Sequence, residues 1–270
     1  MMRPLAEWPL ASRRGIRAVL TDIDDTLTND GKLPAIAYAA LERLHDAGLL
    51  VIPVTGRPAG WCDLIARFWP VDAVIGENGA LYMRYDREAR QLHRRFHLSE
   101  AEQHDAQHRL RALGQRILHD VPGTALAADQ PYRACDLAID FCEDVPPLPD
   151  AAISRIVELC EAAGATAKVS SIHVNAWFGS WNKLTMAKRL FADEFALDFD
   201  AIDNAIAYAG DSPNDAPMFA AVPNGVGVAN VLRFKDRTNA LPAWVTPSEG
   251  GAGFAELADA LLAARQATGS

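Results

Sequence analysis

The sequence predicts an α/β fold, a doubly wound and mostly parallel sheet carrying an inserted α+β segment. Short apolar runs alternate with amphipathic stretches from Gly15 to about residue 84, and the same rhythm resumes at Lys183. Between these points the pattern changes to alternating strands and one long polar-faced helix. The expected division is therefore a core of residues 1–84 and 183–270 with an inserted unit of 85–182.

Residues 16–20 (IRAVL) read as a buried strand. Residues 34–48 place apolar side chains at helical spacing, with Pro34 in the first turn and Gly48 just past the end. Strands at 49–54 (LLVIPV) and 72–76 (DAVIG) flank a helix at 59–69, completing a βαβαβ unit. ALYMRYD and RQLHRRFHL then read as a hairpin, followed by a long helix from Ser99, a strand at 134–141, a helix at 150–163 and strands at 166–169 and 171–178. The core rhythm returns with a helix at 183–194, a strand at 205–210, a helix at 214–221, strands GVGVA and AWVT, and a helix at 252–265.

Composition narrows the function. Half of the 270 residues are apolar or aromatic, enough for a sizeable core, and 26 basic against 35 acidic residues give a net charge of −9. That balance argues against nucleic acid or anionic lipid as a partner and for a small molecule. No apolar run approaches the roughly 20 residues of a membrane helix, and the N-terminal stretch lacks the apolar segment of a signal peptide, so a soluble, cytoplasmic protein is expected. Cys62, Cys135, Cys142 and Cys160 form no CxxC pair and read as reduced packing residues.

In an open α/β sheet, ligands bind beyond the carboxyl ends of the strands, so those ends are where site residues are expected. The first ends in Asp22, Asp24 and Asp25, three carboxylates that resist ionising together unless a cation sits among them. The second ends in Thr55-Gly56-Arg57, the third in GENGA with Asn78, and the strand after the insertion in GDSPND with Asp211 and Asp215. Lys183 opens the re-entry helix. Carboxylates from two strand ends suit a hard divalent ion such as Mg²⁺. One carboxylate can attack phosphorus, and a second, two residues on, can serve as general acid and base.

The inserted segment offers weaker signals. Alternation puts His173, Asn175 and Trp177 on one strand face, where they could meet the non-phosphate part of a substrate, although Trp177 reads more simply as core. Arg133 is a candidate for an anionic or hydroxyl-rich group. His104 and His108 flank Asp105 in a superficially zinc-like spacing, but the acid is Asp and the helix is polar around much of its circumference, so a solvated face is expected.

DIDDT resembles the first motif, DxDxT, of the haloacid dehalogenase-like superfamily; VTGR resembles the second, Lys183 the third and GDSPND the fourth. ENGA and the tail GVGVAN…GGAG resemble its Cof-type branch, and the insertion resembles that branch's large C2-type cap. The branch includes phosphatases of trehalose, sucrose and mannosylglycerate phosphates. The resemblance implies Asp22 as nucleophile and Mg²⁺ ligand, and Asp24 as general acid/base and ligand through its carbonyl. It further implies Asp211 and Asp215 at the metal, and Thr55, Gly56, Lys183 and Asn214 around the phosphoryl group. Arg57, Asn78, Arg133, His173 and Asn175 are the candidates for substrate contact. Two positions depart from the pattern: Asp25 stands where Gly is usual, and Leu184 follows Lys183 where Gly is frequent, leaving Lys188 as an alternative. The implied activity is Mg²⁺-dependent hydrolysis of a phosphomonoester, a phosphorylated sugar or similar small metabolite. Phosphotransfer to a second hydroxyl, as in phosphomutases, is the alternative. A receiver-like signalling domain is disfavoured by the insertion. Oligomeric state is left open.

Overall fold

The computed structural model describes residues 2–170, 172–236 and 239–266. Ser171, where a strand was expected to begin, and residues 267–270 lie outside the described residues. In chain order the first elements are β1 (Arg3–Pro4), α1 (Leu10–Gly15), β2 (Ala18–Thr21), α2 (Ala35–Asp46), β3 (Leu50–Pro53), α3 (Ala59–Phe68) and β4 (Val74–Gly76). Then come β5 (Leu81–Asp86), β6 (Gln91–Phe96), α4 (Glu100–Asp120), β7 (Ala125–Leu126), β8 (Leu137–Asp140), α5 (Asp150–Ala162), β9 (Thr166–Val169) and β10 (His173–Trp177). The chain closes with α6 (Lys183–Phe195), β11 (Ile206–Gly210), α7 (Ala216–Ala221), β12 (Asn224–Gly227), β13 (Trp244–Val245) and α8 (Gly250–Gln266).

The main sheet has six strands in the order β1-β13-β12-β11-β2-β3, every pair parallel. Period-two alternation splits its side chains between two layers. Val19, Val51 and Ala207 pack with Leu41 and Leu44 of α2 and Leu257 and Leu261 of α8. Leu20, Ile52 and Tyr208 pack on the other side with Leu190 and Phe191 of α6. Both faces are buried, which is why these strands are apolar runs rather than alternating ones.

The expected third parallel strand behaves differently. β4 pairs antiparallel with β5 in a sheet β4-β5-β6 and touches the end of β3 through one parallel bridge, Val54 to Ile75. The cause is local: Glu77, Asn78 and Gly79 all have positive φ (45°, 54° and 103°), and this turn sends the chain straight back beside β4. A Cβ on Gly79 would lie 2.1 Å from the Asn182 carbonyl, so glycine allows the turn to pack on the start of α6. Asn182 caps that helix by accepting from Thr185 N, and Lys183 is its first residue.

A third sheet, β7-β8-β10-β9, is antiparallel. One face, with Leu137, Ile139, Val174 and Ala176, packs against Leu110, Leu113 and Ile117 of α4 and Ile156 and Leu159 of α5. The other carries His173, Asn175 and Trp177 of β10, with Lys168 opposite Asn175 in register and Thr166 opposite Trp177. Trp177 is buried and stacks on Trp181 at 6.0 Å, beside Ala80 and Cys135. It fills the seam between the sheets, the core role. His104, Asp105 and His108 are exposed on α4. Cys62, Cys135 and Cys160 are buried free thiols, and no described helix is long and apolar enough to cross a membrane.

Candidate active site

The parallel strands β2 and β11 end side by side, so Asp22, Asp211 and Asp215 meet although nearly 190 residues separate the first two in sequence. One oxygen from each lies within 4.8 Å of the others, and all three residues are buried. No other group of three His, Cys, Asp or Glu among the described residues is close enough to share an ion. Lys183 donates to Asp22 Oδ1 at 2.8 Å and to Asp215 Oδ1 at 2.7 Å. Burial acts to lower its ammonium, but Asp215 and Asp22 outweigh that and hold it raised. Lys188 lies away from this cluster, exposed and paired with Asp200 at 2.7 Å.

The three carboxylates have unequal surroundings. Asp215 is saturated: Tyr208 and Lys183 donate to one oxygen, and the amides of Asp211 and Ser212 donate to the other. Gly210 makes room for it, since a Cβ there would lie 2.5 Å from Asp215 Oδ2. Asp211 accepts from Thr26 and Asn230, each at 3.1 Å. The carboxylate of Asp22 receives Lys183 alone among the described residues. Burial pushes Asp22 up to about 7, with Lys183 opposing. An oxygen-only donor set with three buried carboxylates against one ammonium fits a hard divalent cation.

Asp24 points to a different partner. Arg57 grips its carboxylate through Nε at 3.0 Å and Nη2 at 2.8 Å, and reaches Glu143 at 3.2 Å. Glu143 in turn lies 2.8 Å from His173 Nε2. His173 and Arg57 together hold its carboxyl at about 2. Three backbone amides, those of Cys142, Glu143 and Asp144, donate to Asp140 and fix the loop that presents Glu143. Asp25 adopts φ 56°, the left-handed region, which gives a physical reason for glycine being usual there.

Arg133 is nearly enclosed and spends its guanidinium on Asp129, Asp136 and the Gly56 carbonyl. Asn175 donates to Asp136 at 3.0 Å. Glu77 lies beneath, its carboxylate accepting from the amides of Ala59, Ala134, Cys135 and Asp136. Burial, then Asp136, pushes Glu77 up to about 7 while those donors pull the other way. Thr55 Oγ1 accepts from Arg57 N, Asn78 N donates to Thr55 O, and Asn214 accepts from Ser212.

Asp22, Asp24, Gly56, Arg57, Arg133, His173, Asn175 and Asn214 therefore line one cleft, whereas Asn78 and Lys183 line an adjoining one, again with Asn214. Sequence reasoning missed Glu143, Glu77 and Tyr208. Asp129 and Asp136, flanking Arg133 at i−4 and i+3, could have been flagged as its partners; nothing local marks Glu143.

Residues 19–114 match the family described as haloacid dehalogenase-like hydrolase. A phosphoglycolate phosphatase of Pyrobaculum neutrophilum is 36% identical over 81 residues, which are 29% of this chain and 35% of that protein. The matched stretch thus spans about a third of that relative's length. Among solved structures, protein 0175 of Thermoplasma acidophilum is 18% identical with a TM-score of 0.68, covering 92% of this chain and 98% of that one. The sucrose-phosphatase of Synechocystis sp. PCC6803, solved with sucrose and phosphate, is 17% identical with a TM-score of 0.63 and the same coverage. At those identities the likeness to solved structures is one of fold. The stretch that bears the first two motifs thus matches the haloacid dehalogenase-like hydrolases, and the fold shared with these solved structures extends over more than nine-tenths of the chain.

Proposed function

We propose that the protein is a phosphatase that hydrolyses a phosphorylated sugar or similar small metabolite through an aspartyl-phosphate at Asp22. The observation that carries this reading is the convergence of Asp22, Asp211, Asp215 and Lys183 at two adjacent strand ends, with Asp24 two residues beyond Asp22. The phosphoglycolate and sucrose phosphate chemistry named for the similar proteins supports the small-metabolite class.

An oxygen of Asp22 attacks phosphorus, the ester P–O bond breaks, and Asp24 gives its proton to the departing oxygen. Asp24 then takes a proton from water, which attacks the same phosphorus and releases orthophosphate while freeing Asp22. In the structure Arg57 donates to both oxygens of Asp24, so this contact must loosen for Asp24 to reach the departing oxygen. Mg²⁺, held by Asp22, Asp211 and the Asp24 carbonyl with Asp215 in support, would offset charge on the phosphoryl oxygens. Thr55, Gly56, Asn214 and Lys183 would position that group. In this reading residues 85–182 act as a cap whose β10 face closes over the cleft and excludes water. Wild-type protein with Mg²⁺ should release inorganic phosphate from p-nitrophenyl phosphate, and Asp22→Asn should lower the rate by at least about a thousandfold. Undiminished release by that variant removes Asp22 from the nucleophile's role.

A further inference from the structure

Four cationic side chains line the clefts around the catalytic strand ends: Arg57, Arg133, Lys183 and Lys168. Three are already engaged by carboxylates, Arg57 by Asp24 and Glu143, Arg133 by Asp129 and Asp136, and Lys183 by Asp22 and Asp215. The Lys168 ammonium has no hydrogen-bond or ion-pair partner among the described residues. It is exposed and stands opposite Asn175 on the polar face of the β8-β10-β9 ladder, the face that carries His173 and Asn175 into the cleft.

Room is distributed unevenly in the same sense. The cleft bounded by Asp24, Arg57, Arg133 and His173 has a free volume of about 20 Å³, the space of a single water. The adjoining clefts are larger: about 340 Å³ beside Asp24 and Arg57, about 720 Å³ beside Arg133 and Asp136, and a further two of about 220 Å³ and about 510 Å³. The last two are lined by Lys168 and by Asn214, and the smaller of them also reaches Lys183. The cleft that holds both Lys183 and Lys168 offers space for the leaving part of a phosphomonoester beside Lys168.

We propose that Lys168 determines specificity by receiving a second anionic group on the leaving part of the substrate, a carboxylate or a further phosphate. This rests on the phosphatase reading and names the substrate class within it. The ammonium is available because, among the described residues, no carboxylate neutralises it and the two clefts that it lines contain no Asp or Glu to repel an anionic group. A flexible, strongly hydrated point charge suits capture of such a group without a fixed bidentate geometry.

The test compares 3-phosphoglycerate with glycerol phosphate, which replaces the carboxylate by a hydroxymethyl group. Wild-type kcat/KM should favour 3-phosphoglycerate by about tenfold or more, and Lys168→Met should reduce that ratio by about tenfold, chiefly through KM. Lys168→Arg should recover most of it. Calorimetric titration of both esters into Asp22→Asn and into Asp22→Asn/Lys168→Met, with Mg²⁺ present, reads the same preference without turnover. A ratio that is unchanged in Lys168→Met, by rates and by titration, overturns the assignment, as does a wild-type preference for glycerol phosphate. Absence of phosphate release from every ester counts against the phosphatase reading instead, while the titration still decides the role of Lys168.

Discussion

The carboxylate cluster beneath the sheet ends and the ionic seam below the β10 face lie next to each other and solve opposite problems. In the seam, Arg133 makes five hydrogen bonds to Asp129, Asp136 and Gly56, and Glu77 collects four backbone amides. Burying such groups costs little only when their donors and acceptors are matched, and here they are. In the cluster, three buried aspartates lie together with one ammonium, which reaches two of them, Asp22 and Asp215, and is the single donor to Asp22. The saturated network fastens segments together; the acid-rich one has capacity left for an external cation and a reacting group.

Breaking the seam should show first in stability. Arg133→Met leaves Asp129 and Asp136 buried without their main partner, and a loss of about 3–5 kcal/mol in urea unfolding is expected; a loss below 1 kcal/mol makes the network dispensable. Loading the cluster should act in the other direction. Saturating Mg²⁺ should raise the wild-type Tm by about 5 °C, and Asp211→Asn should abolish most of that rise. An equal rise in the variant moves the ion away from this cluster.

A smaller effect tests the link between the two regions. Glu143 is held at about 2 against an ordinary 4.5, with His173 the first cause and Arg57 next. A depressed carboxyl stabilises the fold above its ordinary value and loses that contribution as pH falls through the folded one, so the window runs from 4.5 down to about 2. Glu143→Gln should flatten the stability curve across that window, and an unaltered acid limb breaks the assignment. The smallest effect is expected at Lys188, whose exposed pair with Asp200 is worth at most about 0.5 kcal/mol. Lys188→Met should leave phosphate release unchanged; lost activity would reopen the choice between the two lysines.

Much of the fold was legible because buried parallel strands and amphipathic helices leave periodic traces. The runs around Val19, Val51 and Ala207 were readable for that reason, as were the long helix from Ser99 and the hairpin after Gly79. The diversion of β4 was not, because three successive left-handed residues redirect it and the first of them, Glu77, is of a type that gives no sign of such a conformation. Short edge pieces such as β1 and β7, two residues each, are too brief to show a period.

The sequence by itself determined the strand ends on which Asp22, Asp24, Thr55, Asp211 and Asp215 stand, since alternation and punctuation are local properties. Tertiary structure decided which of those ends adjoin, that Lys183 rather than Lys188 reaches the carboxylates, and that Glu143 comes to Arg57 from 86 positions away. It also set Arg133 into internal pairs and left Lys168 beside open space. Such pairings depend on how layers pack, and packing joins residues whose separation along the chain carries no signal of the contact.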